Sequence, residues 1–190
     1  MARWKPGARE RLVIAALDLF TEQGYDATSV TQIAERAGVT KSTFFRHFPD
    51  KRELLVAGQE ALSRLLVEGI AAAPIDASPL AALAGGLERA ATMMGPLNRE
   101  LAPRLRAAVA SSTELQQRDA LKSVGLANAM AEALGARGVP DPTARLAAEM
   151  GVLAFKNGYA AWLAAAPNSD FSPFALAALA ELRTAAAGLG

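Results

Sequence analysis

The sequence predicts an all-α protein in two parts, a compact head of three short helices followed by a longer helical body. Three observations lead there. Alanine and leucine recur along the chain, apolar residues fall at three- and four-residue spacing, and caps, glycines and prolines cut the chain into helix-length stretches. β-branched residues rarely cluster, and no alternating strand pattern emerges. At 190 residues and 52% hydrophobic, the chain can bury a sizeable core.

Leu12, Ala15, Ala16, Leu19 and Phe20 make one apolar stripe, so a first helix is expected from Gly7 to Gln23, with Gly24 to end it. Ser29 followed by Gln32 reads as a capping box that opens a second helix ending near Gly38. Thr40 can cap a third, Lys41 to His47. Pro49 interrupts, and Asp50 with Glu53 forms another cap pair. A fourth helix is then expected to continue through Leu54, Leu55, Leu62, Leu65 and Leu66 to about Ala72, shared by head and body. The expected boundary divides a head at 1–52 from a body at 53–190.

In the body, Ser78 with Pro79 marks a start and Gly95 with Pro96 a stop, followed by a helix from Leu97 to about Ala110. After Ser111 and Ser112 a long helix reaches Leu134. Asp141 before Pro142, and Ser172 before Pro173, each put a capping side chain ahead of a proline at the first helical position. The last two helices are expected from Pro142 to Ala165 and from Pro173 to Ala187.

Composition removes several chemistries. Without cysteine there are no disulfides, thiolate nucleophiles or thiolate metal sites, and a single histidine, His47, builds no histidine cluster. No metal and no cofactor are expected. The apolar run Leu12 to Leu17 stops at Asp18, too short for export or membrane insertion, so no membrane partner and a cytoplasmic location are expected. Residues 1–52 hold nine Lys or Arg against six Asp or Glu, whereas the rest holds eleven against thirteen. A basic head on a weakly acidic body directs a polyanion to the head.

Residues 28–48, TSVTQIAERAGVTKSTFFRHF, give a short helix, a glycine-containing turn and a second short helix, the layout of a DNA-binding helix-turn-helix. Helix pairs with a glycine turn also occur in bundles. A two-turn helix fits the major groove, and polar side chains near its start, here Thr40, Lys41, Ser42 and Thr43, can reach base edges.

The stretch RERLVIAALDLFTEQGYDATSVTQIAERAGVTKSTFFRHFPDKRELL resembles the TetR-family signature nearly from end to end. It carries the AAL.LF helix, GY..TS, IA..AGV, the hydroxyl-rich start of helix 3, an aromatic pair, HF, a proline and DK.ELL. The resemblance covers about the first quarter of the chain; the body carries no comparable signature. It implies a DNA-binding, ligand-responsive regulator, by family habit a repressor, acting as a dimer. Lys41 and Ser42 then face bases, with Thr43 at the edge of base and backbone. Thr31, Gln32, His47 and Lys51 grip phosphates, and Arg46 contacts either. Phe45 departs from the family's usual tyrosine, so the hydroxyl contact to phosphate is lost while the ring can still pack on a sugar or a thymine methyl. Plainer readings stand beside these. Gln32 closes its own capping box, His47 is a surface histidine, and Lys51 belongs to a solvated helix start.

Tight operator binding needs two heads. Leu146, Met150, Leu153, Asn157 and Ala161 form one stripe of the penultimate helix, and Phe155, Tyr159 and Trp162 another part of its surface. Phe174, Leu176, Leu179 and Leu182 stripe the last. Helices apolar on two sides have two partners, and in TetR relatives the last pair packs on its twin, so a homodimer through these helices is expected. The alternative is that both fill one monomeric core. Met93, Met94, Met130, Phe155, Tyr159 and Trp162 are candidate cavity residues, and Asn128 and Asn157 candidates to orient an organic, largely apolar effector. Each can equally be core or an interhelical hydrogen bonder.

Two rival readings exist. Glu149, Lys156, Asn157 and Tyr159 lie close in sequence without sharing a helix face, and no nucleophile meets a base, so an enzyme is not expected. The other rival is a helical dimerisation or scaffold module that binds no DNA.

Overall fold

The computed structural model describes residues 7–56 and 58–189, and their side chains apart from those of Leu55 and Val56. Leu55, expected on the stripe of the fourth helix, therefore lies outside the described side chains. Among the described residues the chain forms ten helices and no strand. It separates into two compact units, 1–57 with 100–120, and 58–99 with 121–190.

The first unit contains α1 (Ala8–Gln23), α2 (Val30–Arg36), α3 (Lys41–His47) and α4 (Glu53–Val56). It also takes in the later part of α7 (Pro96–Ala110) and the start of α8 (Thr113–Ala136). The α1 stripe is buried as its spacing requires, with Leu12, Ala16 and Phe20 packed on Ile33 of α2 and Phe44 of α3. Ala108 and Leu115 complete this core, although the expected boundary after residue 52 gave the head nothing so distant in sequence. Around it run Asp18–Arg104 at 3.0 Å, Glu53–Arg118 at 3.6 Å and Arg52–Glu114 at 4.0 Å. All are partly exposed, so each adds little beyond orientation.

The expected fourth helix is two helices. Gly58, the N-cap of α5 (Gln59–Ala71), adopts φ +99°, left-handed backbone. The leucine spacing runs through this point, but side-chain period does not reveal one residue of the opposite hand.

The second unit holds α5, α6 (Pro79–Ala91), the first turn of α7, most of α8, α9 (Asp141–Ala164) and α10 (Ser172–Ala187). Its core includes Leu66, Ile70, Leu83, Leu87, Leu134 and Phe171. Two crossings are close because glycine faces backbone. A Cβ on Gly69 would come within 2.6 Å of Gly86 Cα, and one on Gly158 within 2.6 Å of Ala175 Cα.

Two expected caps are absent. α9 begins at Asp141 itself, whose carboxylate accepts from Arg145 Nε, 3.0 Å to each oxygen, in place of a backbone N–H. α10 begins at Ser172 with Phe171 as N-cap, so the hydroxyl sits inside the first turn and caps nothing. Ser78 behaves as expected and accepts from Ala81 N–H at 3.2 Å.

Candidate nucleic-acid interface

The local chemistry of the head fixes how α3 is presented. Ser29 Oγ accepts from Gln32 N–H at 3.2 Å while Gln32 Oε1 accepts from Ser29 N–H at 2.8 Å, the complete capping box. After α2, Gly38 at φ +66° makes the turn, and Val39 N–H returns to the Ala34 carbonyl at 3.0 Å. Thr40 then caps α3, accepting from Thr43 N–H at 3.1 Å and sharing a 3.0 Å hydroxyl contact with Thr43.

Burial decides which side of α3 faces outward. Phe44 and Phe48 are sealed into the core, with Arg9 5.4 Å above the Phe48 ring. Lys41, Ser42, Phe45 and Arg46 are consequently exposed, Phe45 at 48%, and Lys41 lies 6.0 Å from its ring. Neither Lys41 nor Arg46 has an ion-pair partner among the described residues. Thr31 and Gln32 are exposed on α2, and Thr43 is half-buried beside the cap. The α1–α2 side is braced by the bidentate pair Arg36–Glu22 at 2.9 and 2.8 Å and by Arg11 Nε donating to the Ala37 carbonyl at 3.0 Å. The Arg36 hydrogen bond holds the Glu22 carboxyl below its ordinary pKa.

Two expected phosphate contacts are placed differently from the rest. His47 is half-buried, and its Nε2 is covered without a hydrogen-bond partner among the described residues. Lys51 is also half-buried: Nζ donates to the Tyr25 carbonyl at 2.7 Å and the Thr28 carbonyl at 2.9 Å, 4.0 Å over the Tyr25 ring. Burial lowers its pKa. It is a strut under the α1–α2 loop with one N–H left over, so the solvated-helix-start reading does not describe it. Burial moves the Tyr25 hydroxyl the other way, up to about 12, with the charges of Glu114 and Asp50 adding to the rise.

In the body, Phe155, Tyr159 and Trp162 come together around Phe171, with ring centroids 5.2, 6.2 and 5.8 Å from it. Trp162 Nε1 donates to the Ser169 carbonyl at 2.7 Å, and Tyr159 Oη to the Asn98 carbonyl at 3.2 Å. Arg99 lies over Trp162, its guanidinium carbon 4.4 Å from the ring centroid. Sequence reasoning missed Phe171 and Arg99; a basic residue on an otherwise ordinary helix gives no periodic signal. Met130 is buried against Gly151, and Met93 and Met94 are half-buried on the same core. Asn128 is exposed beside a recess of about 260 Å³ shared with Glu132 and Arg145. Asn157 is exposed too, apart from the aromatic cluster and with the outward stripe of α9. A larger open groove of about 540 Å³ runs among α6, α9 and α10, lined by Leu80, Leu146, Met150 and Arg183. None of the eight candidate ligand residues lines it.

No group of metal-binding side chains occurs among the described residues, and no helix there is long and apolar enough to cross a membrane.

Residues 12–57 match the profile of bacterial regulatory proteins, tetR family. The HTH-type transcriptional regulator TcmR of Streptomyces glaucescens is 39% identical over 77 residues, 40% of this chain and 34% of that protein. The HTH-type transcriptional repressor KstR of Mycolicibacterium smegmatis is 40% identical over 96 residues, 49% of this chain and 43% of that protein. The matched stretches thus span less than half the length of either relative. The crystal structure of Thermus thermophilus FadR, a TetR-family transcriptional repressor in complex with lauroyl-CoA, superposes with a TM-score of 0.52 at 24% identity. It covers 92% of this chain and 93% of that one, a likeness of fold. The sequence expectation of an all-α chain with a helix-turn-helix head agrees with the profile match over residues 12–57 and with the likeness of fold.

Proposed function

For a chain whose residues 12–57 match the profile of bacterial regulatory proteins, tetR family, we propose a ligand-responsive transcriptional regulator. In this reading it is a cytoplasmic repressor that holds a palindromic operator as a dimer and releases it when a small organic effector enters the body. The observation that carries the reading is the outer side of α3, where Lys41, Ser42 and Arg46 stand exposed while Phe44 and Phe48 beneath them are buried. That anchoring holds the polar row as a rigid unit, which base readout requires. Lys41 and Ser42 read bases, with Thr40 and Thr43 setting the helix start. Thr31, Gln32 and His47 contact the backbone, Arg46 contacts either backbone or base, and the Phe45 ring packs on sugar or thymine. Lys51 keeps one N–H for a phosphate while supporting the loop.

The dimer reading rests on α9 and α10. Leu146 is 64% and Leu153 45% exposed, on the stripe that includes Met150, Asn157 and Ala161. Large aliphatic residues in one exposed row favour a covering helix pair, and a second copy supplies one. The effector reading rests on the aromatic cluster, with Met93, Met94 and Met130 in the same core, while Asn128 stands apart beside the recess it shares with Glu132 and Arg145. A coupling of about 3 kcal/mol between effector and operator would weaken DNA binding roughly 150-fold, enough for derepression.

Selection of bound sequences from random duplex DNA tests the function. Recovery of a palindrome with half-sites about one helical turn apart, or a multiple of it, is expected. Failure to enrich any duplex would leave a helical scaffold as the better description.

A further inference from the structure

Arg99 carries a charge that the described residues do not answer. Its Nη1 donates to the Ala165 carbonyl at 2.8 Å, at the C-terminal end of α9, and its plane rests on Trp162. Nε and Nη2 are covered by protein, yet neither has a hydrogen-bond partner among the described residues. No ion pair involves Arg99 among the described residues. Covered donors of a charged group are costly when left unbonded. The ring and the carbonyl fix the guanidinium's orientation but leave one edge unused, the parallel Nε–H and Nη2–H pair that takes a carboxylate side-on with two hydrogen bonds.

From this geometry we infer that Arg99 is the anion-recognising residue of the body and that the effector is a monocarboxylic acid with an apolar tail. The inference deepens the effector reading above and rests on it. One positive charge matches a monoanion, and in the aromatic cluster beside it Phe155 and Tyr159 are partly exposed and open to the tail while Trp162 and Phe171 are buried beneath them. Pro103 explains how the covered edge is reached. Lacking an N–H, it leaves the Arg99 carbonyl without its helical partner, so the first turn of α7 is tied to the remainder by one bond fewer and is the part a ligand would have to move.

The test uses the full chain with Trp4→Phe, leaving Trp162 as the only tryptophan. Benzoate, 4-phenylbutyrate and octanoate are titrated against Trp162 emission beside their primary amides and phenyl phosphate. At least one acid is expected to bind saturably and at least about tenfold tighter than its amide. Arg99→Lys, which keeps the charge but loses the fork, weakens that acid by about tenfold or more, and Arg99→Gln abolishes the preference over the amide. Should Arg99→Gln fail to fold, the acid and amide pair on the parent chain decides. Equal binding of acid and amide, tighter binding of phenyl phosphate, or no response to any acid at millimolar concentration overturns the inference. An acid that binds through Arg99 without loosening selected DNA leaves the site standing and removes effector-driven release. Release by an uncharged compound that Arg99→Gln does not weaken keeps the release reading and removes the site.

Discussion

Replacing Lys51 with methionine keeps the aliphatic stem and removes the two hydrogen bonds that Nζ donates to the Tyr25 and Thr28 carbonyls at 2.7 and 2.9 Å. Bonds from a charged donor contribute roughly 1.5–3 kcal/mol each. Against them stands the water the ammonium surrenders, the same burial that lowers its pKa. The balance, with the Tyr25 ring 4.0 Å beneath, is about 2 kcal/mol of head stability. For a chain of this size that corresponds to a fall of roughly 4–8 °C in Tm. Circular dichroism melts of the two proteins measure it, and anisotropy with a selected duplex at several salt concentrations measures the DNA side. A strut predicts a lower midpoint and a salt slope that drops by less than one unit. An unchanged midpoint with the slope reduced by about one full unit would refute the strut and make Lys51 a plain phosphate contact.

Phe45→Tyr restores a hydroxyl at an exposed position and should tighten binding to all duplexes alike by about three- to tenfold, read by the same anisotropy assay. Gly58→Ala puts a side chain on left-handed backbone at φ +99° and should cost about 1–2 kcal/mol in urea unfolding; no loss would mean that the α4–α5 break relaxes away. Leu146→Glu with Leu153→Glu places charge on the exposed stripe of α9 and should convert a dimer to a monomer by light scattering, with the helical spectrum retained. Asp50 accepts from Arg52 and from the Glu53 N–H, and its carboxyl is held below the ordinary 3.8, chiefly by the Arg52 hydrogen bond. A depressed carboxylate stabilises the fold above its unfolded pKa, and that stability is lost as pH falls through the lower folded value. Melts of the parent should therefore drop below about pH 4, and Asp50→Asn should show a shallower drop.

The head was legible because its signals are local. Ser29 with Gln32, Thr40 with Thr43 and the α1 stripe each specify a bond or a buried side within a few residues, and each is found where the spacing puts it. What escaped depends on contacts distant in sequence or on single backbone angles. Ala108 and Leu115 enter the head's core from residues far beyond it, and their own helices carry no mark of that partner. Gly58 sits within an unbroken leucine pattern, so only its φ discloses the break. Asp141 and Ser172 fit the capping rule by residue type, yet the helices begin at those residues and not after them. Of the ligand candidates, the α9 aromatics cluster as their spacing allows, whereas Phe171 and Arg99 join them by chain return. Lys51 shows the limit of residue type as a guide to role: a basic residue beside a recognition helix turns inward onto carbonyls.

Amide chemical shifts of the full chain, titrated with a duplex recovered by selection, test the proposed interface most directly. The account predicts the largest shifts at Thr40 to Arg46, smaller ones at Thr31 and Gln32, and little change along α5 to α10. Shifts concentrated in the body with α3 unmoved would contradict it.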